Sequence, residues 1–135
     1  MADSLELEVA TPERLLVKEQ VEDVQVPGKD GYMGILPGHA ALLSMLGIGS
    51  LSYTVSGHKR YLSVHSGFVE VLDNHVRVLA ELAEKAEEID IERARRALKR
   101  AEEETLNPAL GTDPGAALQA MARAQARISA AEQQK

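Results

Sequence analysis

The chain contains no cysteine and no tryptophan, and only one phenylalanine and three tyrosines. Without thiols there is no disulfide framework, no thiolate metal site and no cysteine nucleophile. With 3% aromatic residues, the core has to be built from Val, Leu, Ile and Ala. No apolar run approaches the roughly 18 residues that a membrane span requires. Basic residues are outnumbered, 15 Lys and Arg against 21 Asp and Glu, for a net charge of -6. That balance argues against nucleic acid as a main partner, because phosphate binding needs a basic face. The amino terminus, Met1-Ala2-Asp3-Ser4-Leu5-Glu6, is acidic and reads as neither a signal peptide nor a basic transit peptide. The expectation is a soluble, intracellular chain whose 135 residues bury one real core, with at most a small appendage.

What is present changes character near residue 87. Before it, apolar residues recur with period two: Leu5, Leu7 and Val9; Val24 and Val26; Leu51, Tyr53 and Val55. The pattern continues more loosely through Tyr61, Leu62 and Val64, then Phe68, Val69 and Val71, then Val76, Val78 and Ala80. Short alternating runs separated by turns at Pro27-Gly28, Ser56-Gly57 and Asp73-Asn74 predict an antiparallel β-sandwich or barrel over residues 1–87. Residues 88–135 are rich in Ala, Glu and Arg and carry helical spacing. A first helix is predicted from Asp90 to about Leu106, with Ile91, Ala94, Leu98 and Ala101 as its apolar stripe.

Asn107-Pro108 stops that helix, since a residue before proline avoids the helical region. Asp113-Pro114 starts a second one, with Asp113 as N-cap and Pro114 in the first helical position. Its stripe is Ala117, Leu118, Met121, Ala124, Ile128 and Ala131. The fold class is therefore β + α, a sandwich followed by a two-helix antiparallel hairpin. Alanine stripes allow close packing but remove little apolar area from water, at roughly 25 cal/mol per Å². The hairpin is expected to be marginal and detachable from the sandwich.

Catalytic signatures are missing: there is no G-x-x-x-x-G-K-[ST] loop and no G-x-S-x-G turn. His39, His58, His65 and His75 show no metal-ligand spacing and read as exposed or half-buried strand-end residues, so no metal is expected. Glu84, Glu87 and Glu88 with Lys85, and Glu102-Glu103-Glu104, read as solvated charge runs. The junction Ile89-Asp90-Ile91-Glu92-Arg93-Ala94 is more informative. Asp90 is an N-cap candidate that places Arg93 one turn later on the same face. The two can hold a polar ligand or pair with each other. Arg93 and Arg100 lie two turns apart, and Arg123 and Arg127 one turn apart on the second helix. Facing each other across a hairpin seam, such arginines repel unless an anion lies between them, and their planar donor fork suits phosphate. Otherwise all four project into water or meet an acidic partner.

Three stretches carry a resemblance across essentially the whole length. Gly28-Lys29-Asp30-Gly31-Tyr32-Met33-Gly34-Ile35-Leu36-Pro37-Gly38-His39-Ala40-Ala41-Leu42-Leu43 is similar to a G-x-x-G-x-x-G-I-x-P-G-H-x-x-L-L loop. Gly67-Phe68-Val69-Glu70-Val71 with Val76-Arg77-Val78-Leu79-Ala80 is the second, and Ile89 to Ala94, resembling an I/L-D-x-x-R-A pattern, is the third. The chain resembles the ε subunits of bacterial F-type ATP synthases, non-catalytic subunits of the central stalk. The resemblance implies a sandwich beside γ and the ring of c subunits, with Tyr32, Met33 and His39 in its contact loop. It implies a helical hairpin that permits ATP hydrolysis when folded and blocks it when extended along γ toward α and β, there using a basic face of Arg95, Arg96 and Lys99.

No cofactor is implied as a requirement, and ATP is implied as a regulatory ligand. Residue by residue, its contacts would be Glu84, Asp90, Arg93, Ala94, Arg100, Arg123 and Arg127. The implied location is peripheral, on the cytoplasmic face of the bacterial inner membrane. Two positions depart from the pattern. Tyr32-Met33 stands where many relatives have Glu-Leu, so a c-ring contact by that acid is not carried over; and His65-Ser66-Gly67 puts serine where glycine is frequent. Two rival readings remain: a free-standing ATP sensor, and a small sandwich enzyme using His39 or His65 as a base.

Overall fold

The computed structural model describes residues 4–107, 111 and 113–134. Seven strands come first: β1 (Leu5–Ala10), β2 (Leu15–Val21), β3 (Asp23–Gly28), β4 (Gly31–Ile35), β5 (Leu42–Val55), β6 (His58–Leu72) and β7 (His75–Lys85). A 3₁₀ turn (Ala86–Glu88) leads to α1 (Ile91–Leu106) and α2 (Pro114–Gln133). A sandwich followed by two helices is the architecture the periodicities predict. The strands form one sheet in the order β2-β1-β7-β6-β5-β3-β4. Its two end strands do not pair with each other, so the sheet is folded over rather than closed into a barrel. All neighbours are antiparallel except β1 and β7, which run parallel. No tight turn joins those two, because the intervening chain serves as their crossover.

The core is aliphatic, as the shortage of aromatics requires. Leu5, Leu7 and Val9 of β1, Val76 and Val78 of β7, and Leu51, Leu62 and Val64 of β5 and β6 are fully or almost fully buried. Tyr53 is its one aromatic member. The single phenylalanine lies on the outside, 52% exposed, in a cross-strand row with Met45 and Leu79.

In β5, β6 and β7 the alternation breaks at one shared row, and this break makes the sandwich. In β6 the residues that enter the hydrophobic core are Leu62 and Val64 on one side of the break and Val69 and Val71 on the other, a change of parity. β7 changes likewise between Ala80 and Ala83. Ladder pairing skips Gly47 of β5 and Ser66 of β6 at the same level. There Ser66 has φ 59° and Gly67 φ 124°, so the strand turns a corner and presents its other face. A side chain on Gly67 would meet the Leu79 carbonyl oxygen at 2.0 Å.

Other differences from the sequence reading are local. β2 was not anticipated, because Leu16 and Val17 are buried side by side and break the alternation. The Gly28–Leu43 stretch is not one loop: it contains β4 and the start of β5, and the turn falls at Lys29-Asp30 rather than Pro27-Gly28. The turns at Ser56-Gly57 and Asp73-Asn74 are present.

Asp113 caps α2 through Ala116 N at 3.1 Å, with Pro114 at the helix start. α1 ends at Leu106; Pro108, the expected stop, lies outside the described residues. Contacts between Thr105 and Met121 and between Arg95 and Glu132 set the helices antiparallel. α2 lies between α1 and the outer faces of β5 and β6. It consequently buries two faces: Ala117, Ala124 and Ile128 as predicted, and also Ala126 and Ala130. Leu118, placed in the predicted stripe, is exposed, and Ala131 is only half-buried.

The corner supports a stability prediction. Gly67→Ala is expected to destabilise the chain by more than about 2 kcal/mol, through the backbone clash and the positive φ. Ser66→Gly is expected to stabilise it by up to about 1 kcal/mol, since the left-handed region costs a non-glycine residue roughly 1–2 kcal/mol. Urea denaturation of both variants checks the opposite signs.

Candidate functional site

The junction between sheet and helices is built by three short interactions. The Asp90 carboxylate accepts from Arg93 N at 3.1 Å and caps α1. In the preceding turn, the Glu88 carboxylate accepts from Lys85 N at 3.1 Å. From the loop between β1 and β2, Arg14 grips that same carboxylate with both terminal nitrogens, at 2.8 and 3.1 Å. This bidentate bond, ahead of the contribution from Lys85, holds the Glu88 carboxyl below its usual range. Opposite, Glu84 near the end of β7 binds Arg127 of α2 at 2.5 Å.

These elements enclose a cavity of about 210 Å³ lined by Glu84, Glu88, Ile89, Asp90, Arg93, Ala94 and Arg127. Of the seven residues proposed for nucleotide, five meet there: Glu84, Asp90, Arg93, Ala94 and Arg127. Arg100 does not; it is exposed and pairs with Glu104 one turn on, at 3.1 Å. Arg123 is half-buried and is not among the lining residues. Of the four arginines expected to repel across the seam, Arg127 and Arg100 each have a carboxylate partner within the chain. Sequence patterning does not single out Glu88 or Arg14. Glu88 reads as part of a solvated run, and its partner lies 74 residues away, where no local pattern reports it.

Chemically, the cavity offers an apolar side, Ile89 and Ala94, three carboxylates, Glu84, Glu88 and Asp90, and two cations, Arg93 and the Glu84-bound Arg127. It is smaller than the roughly 300–1,000 Å³ that encloses a whole drug-sized ligand.

The other candidate residues are dispersed. Tyr32 and Met33 are adjacent on β4 and so point to opposite faces. Tyr32 is 60% exposed, and its hydroxyl accepts from Ser50 N at 3.2 Å, whereas Met33 packs against the core. His39 lies in the following loop, its Nδ1 2.7 Å from the Ala40 carbonyl. The three do not form one contact loop. Arg96 and Lys99 are exposed on α1, but Arg95 is engaged by Glu92 at 2.7 Å and Glu132 at 3.5 Å. Among the histidines, His65 departs from the strand-end reading: it sits within β6 and is buried. Among the described residues, Glu6, Glu8 and His75 come close enough to share an ion, but Glu8 is already paired with His75 at 3.3 Å and Arg77 at 3.5 Å.

The family model described as ATP synthase, Delta/Epsilon chain, beta-sandwich domain matches residues 4–86, and that for the long alpha-helix domain matches residues 87–132. The chain belongs to the ATP synthase delta/epsilon family. It is 64% identical to the ATP synthase epsilon chain of Solibacter usitatus (strain Ellin6076), over 98% of each chain. It is 48% identical to the epsilon chain of Nitratidesulfovibrio vulgaris (strain DP4), over 95% of this chain and 96% of that one. A chain in the cryo-EM structure of the Euglena gracilis mitochondrial ATP synthase, OSCP/F1/c-ring, superposes with a TM-score of 0.78. That pair shares 25% identity and covers 98% of this chain and 82% of the other. Members of the delta/epsilon family are non-catalytic stalk subunits, which removes the reading of a sandwich enzyme with His39 or His65 as base.

Arg14→Ala is expected to return the Glu88 pKa upward into the ordinary carboxylate range. Carboxyl NMR titration of the full chain measures it. Because Glu88 is held low, its pairing supports the fold fully above the ordinary carboxylate range and is lost as pH falls from there through its lowered value. The variant is therefore expected to be less stable than the parent at pH 7, with a smaller difference at pH 3; urea denaturation at the two pH values checks it.

Proposed function

We propose that this delta/epsilon chain is a rotor subunit of the central stalk, seated by its sandwich beside γ and the c-ring, with its helical pair regulating ATP hydrolysis and sensing ATP. The single observation that carries the sensing role is the composition of the cavity. It draws Glu84 from β7, Arg93 and Ala94 from α1, and Arg127 from α2. A ligand held by all three elements binds only the docked helical pair, and so shifts the pair toward docking through its differential affinity. At 100 times its dissociation constant, such a ligand contributes about 2.7 kcal/mol. Adenine would lie against Ile89 and Ala94, with phosphates on Arg93 and on Arg127 in place of its bond to Glu84.

The exposed row of Met45, Phe68 and Leu79 supports seating on a partner, since an apolar patch on a sheet face marks an interaction surface. We assign it to γ. The extended helices would meet α and β through basic residues of α1. Arg95 also ties α1 to α2 through Glu132, so Arg96 and Lys99 are the cleaner representatives of that face. Residence on the cytoplasmic face of the bacterial inner membrane follows from that assembly.

ATP titration of the full chain tests the ligand. Arg93→Ala and Arg127→Ala are each expected to weaken binding by roughly 1.5–3 kcal/mol, the range for hydrogen bonds to charged groups. Equal affinity in all three proteins would remove the site; no binding at millimolar ATP would remove the ligand and leave the stalk role. Charge reversal at Arg96 and Lys99 together is expected to relieve inhibition of hydrolysis in the assembled enzyme while synthesis persists. Unchanged inhibition would remove the basic-face assignment.

A further inference from the structure

The sheet face beneath α2 holds a histidine that the cavity does not use. His65 is 3% exposed and lies opposite Ile48 of β5 and Leu82 of β7. Its Nε2 is 3.4 Å from the Ser63 hydroxyl, and its Nδ1 has no hydrogen-bond partner among the described residues. The charged groups acting on it are Arg127 and Arg123 from α2 and Glu84 from β7. Neighbouring positions of β5 and β6 are neutral, Ile48 and Ser63. The one carboxylate in reach, Glu84, is already bonded to Arg127. A neutral ring fits this environment. A protonated ring would put a second N–H and a positive charge in a buried place with one hydroxyl acceptor and two guanidinium groups nearby.

We infer that His65 makes docking of the helical pair pH-dependent: the docked state requires its neutral imidazole, and protonation of the ring favours release of α2. The inference goes beyond the ATP reading and needs only the docking geometry. Burial first, then the Arg127 charge, lowers the ring to about 4, whereas on an uncovered sheet face it returns to the ordinary value near 6.5. The docked state thus binds the proton more weakly. Docking is at full strength above pH 6.5 and weakens as pH falls from there toward 4. Within that window the docking equilibrium falls by up to tenfold per pH unit. Ordinary Asp and Glu carboxyls titrate near 4, so the upper part of the window belongs to histidine. For a stalk regulator, acidification of the surrounding solution would then favour the extended, inhibitory arrangement.

The chain has no native cysteine, so spin labels can be placed on Gln125→Cys of α2 and Glu70→Cys of β6, both exposed positions. The full chain is poised in mild urea near half docking at pH 7.5, and the distance distribution is followed to pH 5.5. The docked-to-released ratio is expected to fall roughly tenfold. His65→Gln and His65→Asn should abolish the fall, and His58→Gln, at the rim of a neighbouring cleft, should keep it. An equal fall in the His65 variants, a flat wild-type profile, or release that occurs only with unfolding of the sandwich would overturn the inference. So would a His65 ring that titrates by NMR near 6.5 in the docked chain, a readout independent of any substitution.

Discussion

The contact on which the helical half depends is a sheet face of small polar side chains meeting a helix face of alanines. Ser50, Ser63 and His65 are buried on the outer side of β5 and β6, and Ala126 and Ala130 lie in the helix that covers them. Small residues on both sides bring backbone close to backbone, but they withdraw little apolar surface from water. The exposed state is not penalised either, because serine and histidine hydrate readily. Specific bonds supply the registration: Gln133 receives the Ser50 hydroxyl at 3.3 Å, and Gln134 accepts from Tyr61 N at 2.8 Å and donates to Glu87 at 3.0 Å. Such an interface has a defined geometry and a modest strength. The cavity inherits that modesty, since one of its two arginines arrives with α2.

The sandwich is held differently. Its inner faces are Leu, Val and Ile almost without exception, and branched aliphatics at fixed parity specify register strongly. The parity change at Gly47, Ser66-Gly67 and Ala80–Ala83 lets the same three strands contribute inward residues at both ends. Glycine at position 67 is demanded by backbone approach, not by flexibility: the Leu79 carbonyl occupies the place a side chain would take. Serine at position 66 tolerates its positive φ at a cost that glycine would not incur.

Much of this was legible in the residues, for identifiable reasons. Clean period-two runs such as Leu5-Leu7-Val9 lie far from the corner, and both helix starts carry a capping aspartate whose carboxylate bonds the backbone N–H of the third helical residue. β2 was not legible, because two adjacent buried residues carry no period. The second buried face of α2 was not legible, because an alanine turned to the sheet looks the same in sequence as one turned to solvent. At the cavity, Asp90 and Arg93 sit within one turn and announce themselves. Arg14 and Glu88 meet only through the fold, and Arg100 and Arg123 share the spacing of Arg93 and Arg127 without sharing their destination.

The layers of the sandwich are not two sheets pressed together. β5, β6 and β7 run unbroken through the corner, so the seven strands remain one hydrogen-bonded fabric. Two separate sheets under a twisting load can slide, because only side-chain contacts resist shear between them. Here the covalent chain and its ladders pass from one layer to the other, and sliding would require breaking strands across their length. The domain is thereby braced against torsion, while the helices are held on it by alanine contacts and a few hydrogen bonds: a rigid coupling with a lightly held attachment, in 135 residues.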